Sequence, residues 1–206
     1  MKKVLLTAAI AVFGLTSMNA QEDEKTFGFS EGDIFVEGNI GFNSYNDKNT
    51  DEKSNSFNIS PKVGFFISDD LALGGELSFN SYKTEVGGTD ISDMTGFGVG
   101  AFARYYFLDL GERFKTNAEF GVAYSSSDDK IADAKLNGFG AGLGLGINYF
   151  VTEKIALSFG LKNVLSFSSA KYDTDGAEAE TNFNLGFGDV ANPFGGNASF
   201  GLLFVF

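Results

Sequence analysis

The chain contains no cysteine, no histidine and no tryptophan, and only two prolines. Without cysteine, no disulfide braces the fold and no lipid can be carried on a cysteine behind a cleaved leader. Without cysteine and histidine, the common nucleophile–base pairs are missing, because a serine hydroxyl is a poor nucleophile without an adjacent base. Positive charge is also scarce. Fifteen Lys and Arg stand against 27 Asp and Glu, for a net charge of −12. Such a chain repels nucleic acid. After the N-terminus no apolar run is long enough for a transmembrane helix, which needs about 20 residues. Phosphate-binding motifs are absent too: the many G-x-G steps fall inside strand-like segments, with no strand-to-helix turn to cradle a cofactor.

What is present begins with a leader. Lys2 and Lys3 precede an apolar run from Val4 to Leu15, followed by Thr16-Ser17-Met18-Asn19-Ala20. This is the layout of a secretory signal peptide over residues 1–20, with cleavage expected after Ala20, although Met18 is bulkier than the usual −3 residue. Its removal takes Lys2 and Lys3 and leaves a net charge of −14. A low-hydrophobicity acidic chain can be disordered, but 24 Phe and seven Tyr argue for a packed fold. A mean hydropathy near zero suits a soluble protein, and equally a membrane barrel in which apolar and polar residues alternate and cancel.

A polar lead (21–32) gives way to period-2 alternation, the signature of strands. The pattern predicts eight, over 34–45, 57–67, 71–82, 96–107, 114–124, 137–149, 155–167 and 197–206. Each matches the ~9–11 residues of a tilted transmembrane strand. Short connectors (68–70, 108–113, 150–154) alternate with long ones (46–56, 83–95, 125–136, 168–196). That asymmetry belongs to an all-β, antiparallel, up-and-down barrel with short periplasmic turns and long external loops. Phe183 to Gly188 also alternates; it is read as an ordered part of the fourth loop, since another strand would make the count odd.

One parity in every predicted strand is free of charge. It includes Ile34, Val36, Ile40 and Phe42 in the first strand, and Ile155, Leu157, Phe159, Leu161, Asn163, Leu165 and Phe167 in the seventh. Aromatics on this face gather at two levels. Phe42, Phe57, Phe79, Phe97, Tyr124, Phe139 and Phe167 form one; Phe65, Tyr105, Phe107, Phe114, Tyr149, Phe204 and Phe206 form the other. From Phe97 to Phe107, at ~3.3 Å per residue and ~40° tilt, the rise is roughly 25 Å, the height of a barrel's apolar band. A soluble sandwich alternates as well, but has no reason to carry two belts.

The opposite parity carries Glu37, Lys62, Glu76, Arg104, Lys115, Glu119 and Lys162. A turn centred on Asp69 sets Lys62 opposite Glu76, and the next turn brings Arg104 within about a register step of Glu119. Glu37 is expected near Lys62, and Glu76 near Arg104. Unpaired buried charges cost several kcal/mol each, so the alternating signs predict a salt-bridge ring filling an interior about the width of its side chains. A charge-lined gate is the functional alternative. The sixth strand turns Gly138, Gly140, Gly142, Gly144 and Gly146 inward, either as room for Arg104, Phe102 and Lys162 to lean across or as a water path. Pro61 lacks an N–H for the ladder and predicts a bulge.

These features resemble outer-membrane proteins with a small β-barrel domain of the OmpA/OmpX type. The resemblance spans most of residues 33–206 and rests on the leader, the strand-and-loop rhythm, and the ending Phe200-Gly201-Leu202-Leu203-Phe204-Val205-Phe206. It implies an outer-membrane location among lipid and lipopolysaccharide, a monomer, and engagement of the barrel-assembly machinery through Leu202, Phe204 and Phe206. Members with a periplasmic cell-wall anchor continue past the barrel; ending at Phe206, this chain is expected to lack one.

Barrel enzymes of such membranes generally rely on a histidine, so no enzyme activity and no cofactor are expected. Acidic loop residues (Asp47, Asp51, Glu52; Glu85, Asp90, Asp93; Asp128, Asp129, Asp133; Asp173, Asp175, Glu178, Glu180) suggest solvated surface or weak divalent-cation contacts. Asp173-Thr174-Asp175-Gly176 is too short to read as an EF-hand. The expectation is a structural or surface-interaction barrel with a filled lumen; the alternative is a narrow channel for ions or small solutes.

Overall fold

A computed structural model describes residues 27–186 and 198–206; the leader and residue 197 of the predicted last strand lie outside the described residues. Nine strands follow in order: β1 (Ile34–Asp47), β2 (Glu52–Ser68), β3 (Leu71–Val86), β4 (Thr89–Leu110), β5 (Phe114–Asp129), β6 (Ala134–Thr152), β7 (Ile155–Tyr172), β8 (Glu180–Leu185) and β9 (Ala198–Val205). From β1 to β8 each pairs antiparallel with the next, and β9 closes the ring by pairing with both β7 and β1. Among the described residues no helix is long and apolar enough to cross a membrane.

The nine strands fill eight positions. On β7, Ile155–Leu161 pairs with β9, and Leu165–Ala170 pairs with β8. The eighth staves are therefore two collinear pieces, and the segment expected as loop is in part the strand β8. At the break, Lys162, Asn163 and Val164 bulge out of β7 opposite Gly144 alone. Asn163 adopts φ 58°, a region asparagine tolerates better than most residues. Asn184 and Gly186 donate to the carbonyls of Asn163 and Val164 at 3.2 and 2.8 Å. Among the described residues, β1 beyond Gly38 pairs with β2 only.

The expected long loops are largely strand. β4 runs for 22 residues, roughly 55 Å of height at ~3.3 Å per residue and ~40° tilt, twice the ~25 Å apolar band. The tips are tight. Gly87 and Gly88, both at positive φ, close β3 onto β4 as a two-residue turn of the type that matches strand twist. Asp129 caps the β5–β6 tip by accepting from the N–H groups of Ile131 and Ala132. Three acidic residues expected on loop surface are thus ion-paired on the hairpins: Glu85 with Lys53 at 3.7 Å, Asp90 with Lys83 at 2.7 Å, and Asp93 with Lys130 of the β5–β6 tip at 3.0 Å. The Asp90 carboxylate raises the Lys83 ammonium above the usual lysine pKa.

At the other end the three short turns share one construction. Ile67, Phe107 and Val151 are each an extra, outward residue in the ladder. The residue before each is an inward aromatic: Phe66, Tyr106 and Phe150, all buried. Their N–H groups donate to Asp33, Asp70 and Arg113 carbonyls at 2.8–2.9 Å, and Val205 N–H donates to Lys154 in the same way. The expected bulge at Pro61 is absent; bulges fall at these turns, in β7 and near the β3–β4 tip instead. Gly38 pairs with Pro61 in register, and no extra residue enters between Ile59 and Lys62, although the ladder to β3 lapses there. The missing N–H removes pairing without requiring an inserted residue.

The outward face carries the two aromatic levels. Phe42 pairs with Phe57, Phe79 with Phe97 and Tyr124 with Phe139 in the outer one. In the inner one, the Phe114 and Tyr149 rings lie 4.7 Å apart.

Candidate functional site

The lumen holds two stacked layers. The upper is ionic. Register places Glu37 opposite Lys62, Lys62 opposite Glu76, and Arg104 opposite Glu119. Lys62 Nζ lies 3.1 Å from Glu76 and is also hydrogen-bonded to Glu119. Arg104 donates through Nε and Nη2 to Glu119 Oε2 at 2.8 and 2.6 Å. Its Nη1 lies 2.6 Å from Glu37 Oε2 without the alignment of a hydrogen bond, so that contact is Coulombic. Arg104 and Lys62 are buried, and such charges persist only when paired and bonded. The arrangement is a lattice across the barrel rather than a ring around it, since Lys62 reaches Glu119 from β2 to β5.

Lys115 is not in this lattice. It sits near the short turns, 2.5 Å from Asp109, because ladder pairing with Asp109 sets it at that end. Glu76 bonds Lys62 and not Arg104, which pairs with Ala72 four residues along β3. Among the described residues Lys162 has no carboxylate within ion-pair distance. It faces the cavity above the lattice. The outward assignment of Asn163 is overturned: the β7 bulge turns its side chain into the lumen, where it lines that cavity.

This bulge accounts for two glycines of the wall, Gly142 and Gly144. A Cβ on Gly142 would lie 2.9 Å from Asn163 Oδ1, and one on Gly144 would lie 2.9 Å from the Leu161 carbonyl oxygen. Gly142, Gly144 and Gly146 make room for bulged backbone and for Asn163 and Asn117, not for Arg104 or Phe102, while Gly138 and Gly140 meet only ordinary contacts with β5 and β7. Beside them lies a cavity of ≈310 Å³ above the lattice and one of ≈50 Å³ below it, both touching Lys62, Glu119, Gly144 and Lys162.

The lower layer is aromatic. Phe102 and Phe35 form its top, with Arg104 4.9 Å from the Phe35 ring and Lys62 4.9 Å from that of Phe102, distances at which cations are attracted to ring faces. Beneath them come Phe66, Tyr106 and Phe150. Tyr106 donates to Asn148 Oδ1 at 2.8 Å, and Asn148 donates to Ser158 at 2.6 Å, so the buried polar atoms of this layer are bonded. The sequence pattern that marks the layer is a pair of adjacent aromatics followed by an apolar residue at each short turn: Phe65-Phe66-Ile67, Tyr105-Tyr106-Phe107 and Tyr149-Phe150-Val151.

Sequence reasoning also missed the lead. Phe27 and Phe29 enter the barrel mouth and pack on this aromatic layer. Phe29 lies 4.4 Å from Phe66, 4.6 Å from Tyr106 and 5.2 Å from Phe150, ring centre to ring centre. Two phenylalanines in an otherwise polar stretch were the available signal.

Leu202 and Phe204 sit on β9 where it closes the barrel, opposite Gly38 and Val36, and Phe206 exchanges backbone hydrogen bonds with Ile34. Among the described residues no cluster of three acidic, His or Cys side chains could hold a metal ion.

A closed antiparallel barrel with a lipid-suited exterior, two aromatic belts and charged side chains turned inward defines an outer-membrane β-barrel protein. The sequence matches the family model described as "outer membrane protein beta-barrel domain" over residues 8–188, and the chain belongs to that family and to the outer membrane. Among solved structures, it is similar to the outer membrane protein OprG of Pseudomonas aeruginosa, at 13% identity, with 87% of this chain and 98% of that one covered and a TM-score of 0.51. Neisserial surface protein A aligns at 16% identity over 84% and 99% of the chains with a TM-score of 0.48. The outer membrane protein W of E. coli aligns at 14% over 86% and 99% with a TM-score of 0.46. No curated protein sequence matches the chain.

Proposed function

We propose that this protein is a closed structural barrel whose contacts with the surroundings are made by its tall extracellular hairpins, not by passage through its lumen. The observation that carries this reading is the double layer inside: an ion-pair lattice of Glu37, Lys62, Glu76, Arg104 and Glu119 resting on buried Phe35, Phe66, Phe102, Tyr106 and Phe150. In this reading the belts hold it in the lipid and lipopolysaccharide as a monomer, Leu202, Phe204 and Phe206 present the assembly signal, and the acidic hairpins take weak divalent cations at most. A narrow ion or solute channel is the second reading, favoured by the cavities beside the glycine wall. The test is single-channel recording on the mature chain refolded into planar lipid bilayers. The expected outcome is silence; steady ohmic conductance in the wild type would replace this reading with the channel.

A further inference from the structure

The two lumen layers do not close the barrel equally well. The ion-pair lattice is passed on its β6–β7 side, where the ≈310 Å³ and ≈50 Å³ cavities touch the same four residues, Lys62, Glu119, Gly144 and Lys162. The smaller has room for roughly three waters and is lined by Asn117, Asn148 and Ser158, groups that bond water readily. On its periplasmic side its lining residue Asn148 accepts a hydrogen bond from the buried Tyr106 at 2.8 Å. A third cavity of ≈420 Å³ opens on the other side of that level and touches Tyr106, Val205, Phe27 and Phe29.

Between the two lie the buried Phe66, Tyr106 and Phe150, and the lead caps them from the side of the third cavity. The short turns supply three large inward residues, Phe66, Tyr106 and Phe150, while the equivalent position on β9 holds the smaller Val205. Phe29 packs on all three aromatics. Phe27 packs against Phe150 at 6.4 Å and is covered by the Arg113 guanidinium, 4.2 Å from its ring. Arg113 is itself anchored to the carbonyls of Phe150 and Val151 at 3.2 and 3.1 Å. The fold-back is set by Gly32 at φ 96°, by Ser30 N–H bonding Asp33 Oδ2 at 2.8 Å, and by Glu31 N–H bonding Asp69 Oδ1 at 2.9 Å. Gly32 N–H also donates to the Phe66 carbonyl at 2.9 Å, and no atom lies near its absent Cβ, so its glycine requirement is set by the positive φ.

We propose that residues 27–33 are a displaceable cork, and that withdrawing Phe29 from its aromatic seat turns the closed barrel into a narrow, water-filled pore along the glycine wall. Among the described residues, the hydrogen bonds that tie it to the strands and turns, including Gly32 N–H to the Phe66 carbonyl and Glu31 N–H to Asp69 Oδ1, lie at its C-terminal side, and Phe27 and Phe29 are held by ring contacts alone, so the rings can leave their seat without a strand unfolding. This inference rests on the closed-barrel reading and adds the element responsible for closure.

The experiment records single-channel currents from the mature protein and from Phe29→Ser, Gly32→Ala and, on the lipid face at the same level, Phe107→Ser. Phe29→Ser removes the seated ring; Gly32→Ala leaves both rings intact but strains the fold-back. The wild type and Phe107→Ser should be silent, while both cork variants should show openings, with open probability raised roughly 10- to 100-fold as a two-state population shifts. Heat-modified migration on a gel verifies that each barrel is folded. Silence in both folded cork variants, or openings in Phe107→Ser equal to theirs, would overturn the cork while leaving the closed barrel standing. Wild-type conductance equal to that of Phe29→Ser would overturn both.

Discussion

Arg104 holds the lumen lattice together. Its side chain meets Glu119 twice, Glu37 once, and the rings of Phe35 and Phe102. The planar fork makes this set possible, and a lysine could not reproduce it. Removing it leaves Glu37 without its ion-pair partner and Glu119 with Lys62 alone. Truncating one member of a buried ion network costs about 3–5 kcal/mol, so Arg104→Ala should lower the urea stability of the barrel in lipid vesicles by that amount, and Arg104→Lys by less. Glu119→Gln combined with Arg104→Ala should cost less than the sum of the two singles, because both remove the same contacts. A loss below ~0.5 kcal/mol for Arg104→Ala, the size of an ordinary surface substitution, would mean the lattice contributes nothing to folding.

At the scale of elements, the hairpins above the membrane form an extension of the barrel that stands apart from its core. Their ion pairs are exposed, and such pairs contribute little individually. Shortening β3–β4 to Tyr82 and Met94, which are register partners, with an Asn-Gly turn between them should cost no more than about 1 kcal/mol of urea stability, since the one buried side chain lost is the small Thr84, with its bond to Ser54. The same protein should lose whatever surface contact the hairpins make; a large loss of stability instead would assign the hairpins to the folding core. The hairpins also mark where the sequence was readable and where it was not. Period 2 identified the seven long strands and the last one, because each must present an apolar side chain to lipid at every second position. It underestimated their length, because above the band both faces are wetted and the alternation fades into Ser, Thr, Asp and Lys. The lattice pairs Lys62–Glu76 and Arg104–Glu119 were legible because a short turn fixes register. The reach of Lys62 across the lumen to Glu119, the β7 bulge and the split at β8 and β9 were not, since they depend on the closed ring rather than on any one hairpin.

At the scale of the whole molecule, orientation is the property on which the functional reading depends. The short turns, the lead and the described end of β9 share one end, and in barrels of this family's architecture that end faces the periplasm. The three tight tips, including Gly87-Gly88, then face the outside, roughly 30 Å beyond the apolar band if the excess length of β4 projects on that side. The native sequence has no cysteine, so one introduced thiol is a clean reporter. Gly88→Cys tests the outer tip and Asp69→Cys the turn between β2 and β3. In intact cells a membrane-impermeant maleimide should label the first within minutes and leave the second unlabelled until the outer membrane is breached. Gly88 has positive φ, so its substitution strains the turn; Asp90→Cys, in the adjoining strand, provides a second outer position with ordinary backbone. Labelling at Asp69→Cys in intact cells, with Asp90→Cys protected, would invert the barrel. The acidic hairpins would then point inward, the lead and its aromatic seat would open to the outside, and any contact made by the hairpins would have to be sought in the periplasm.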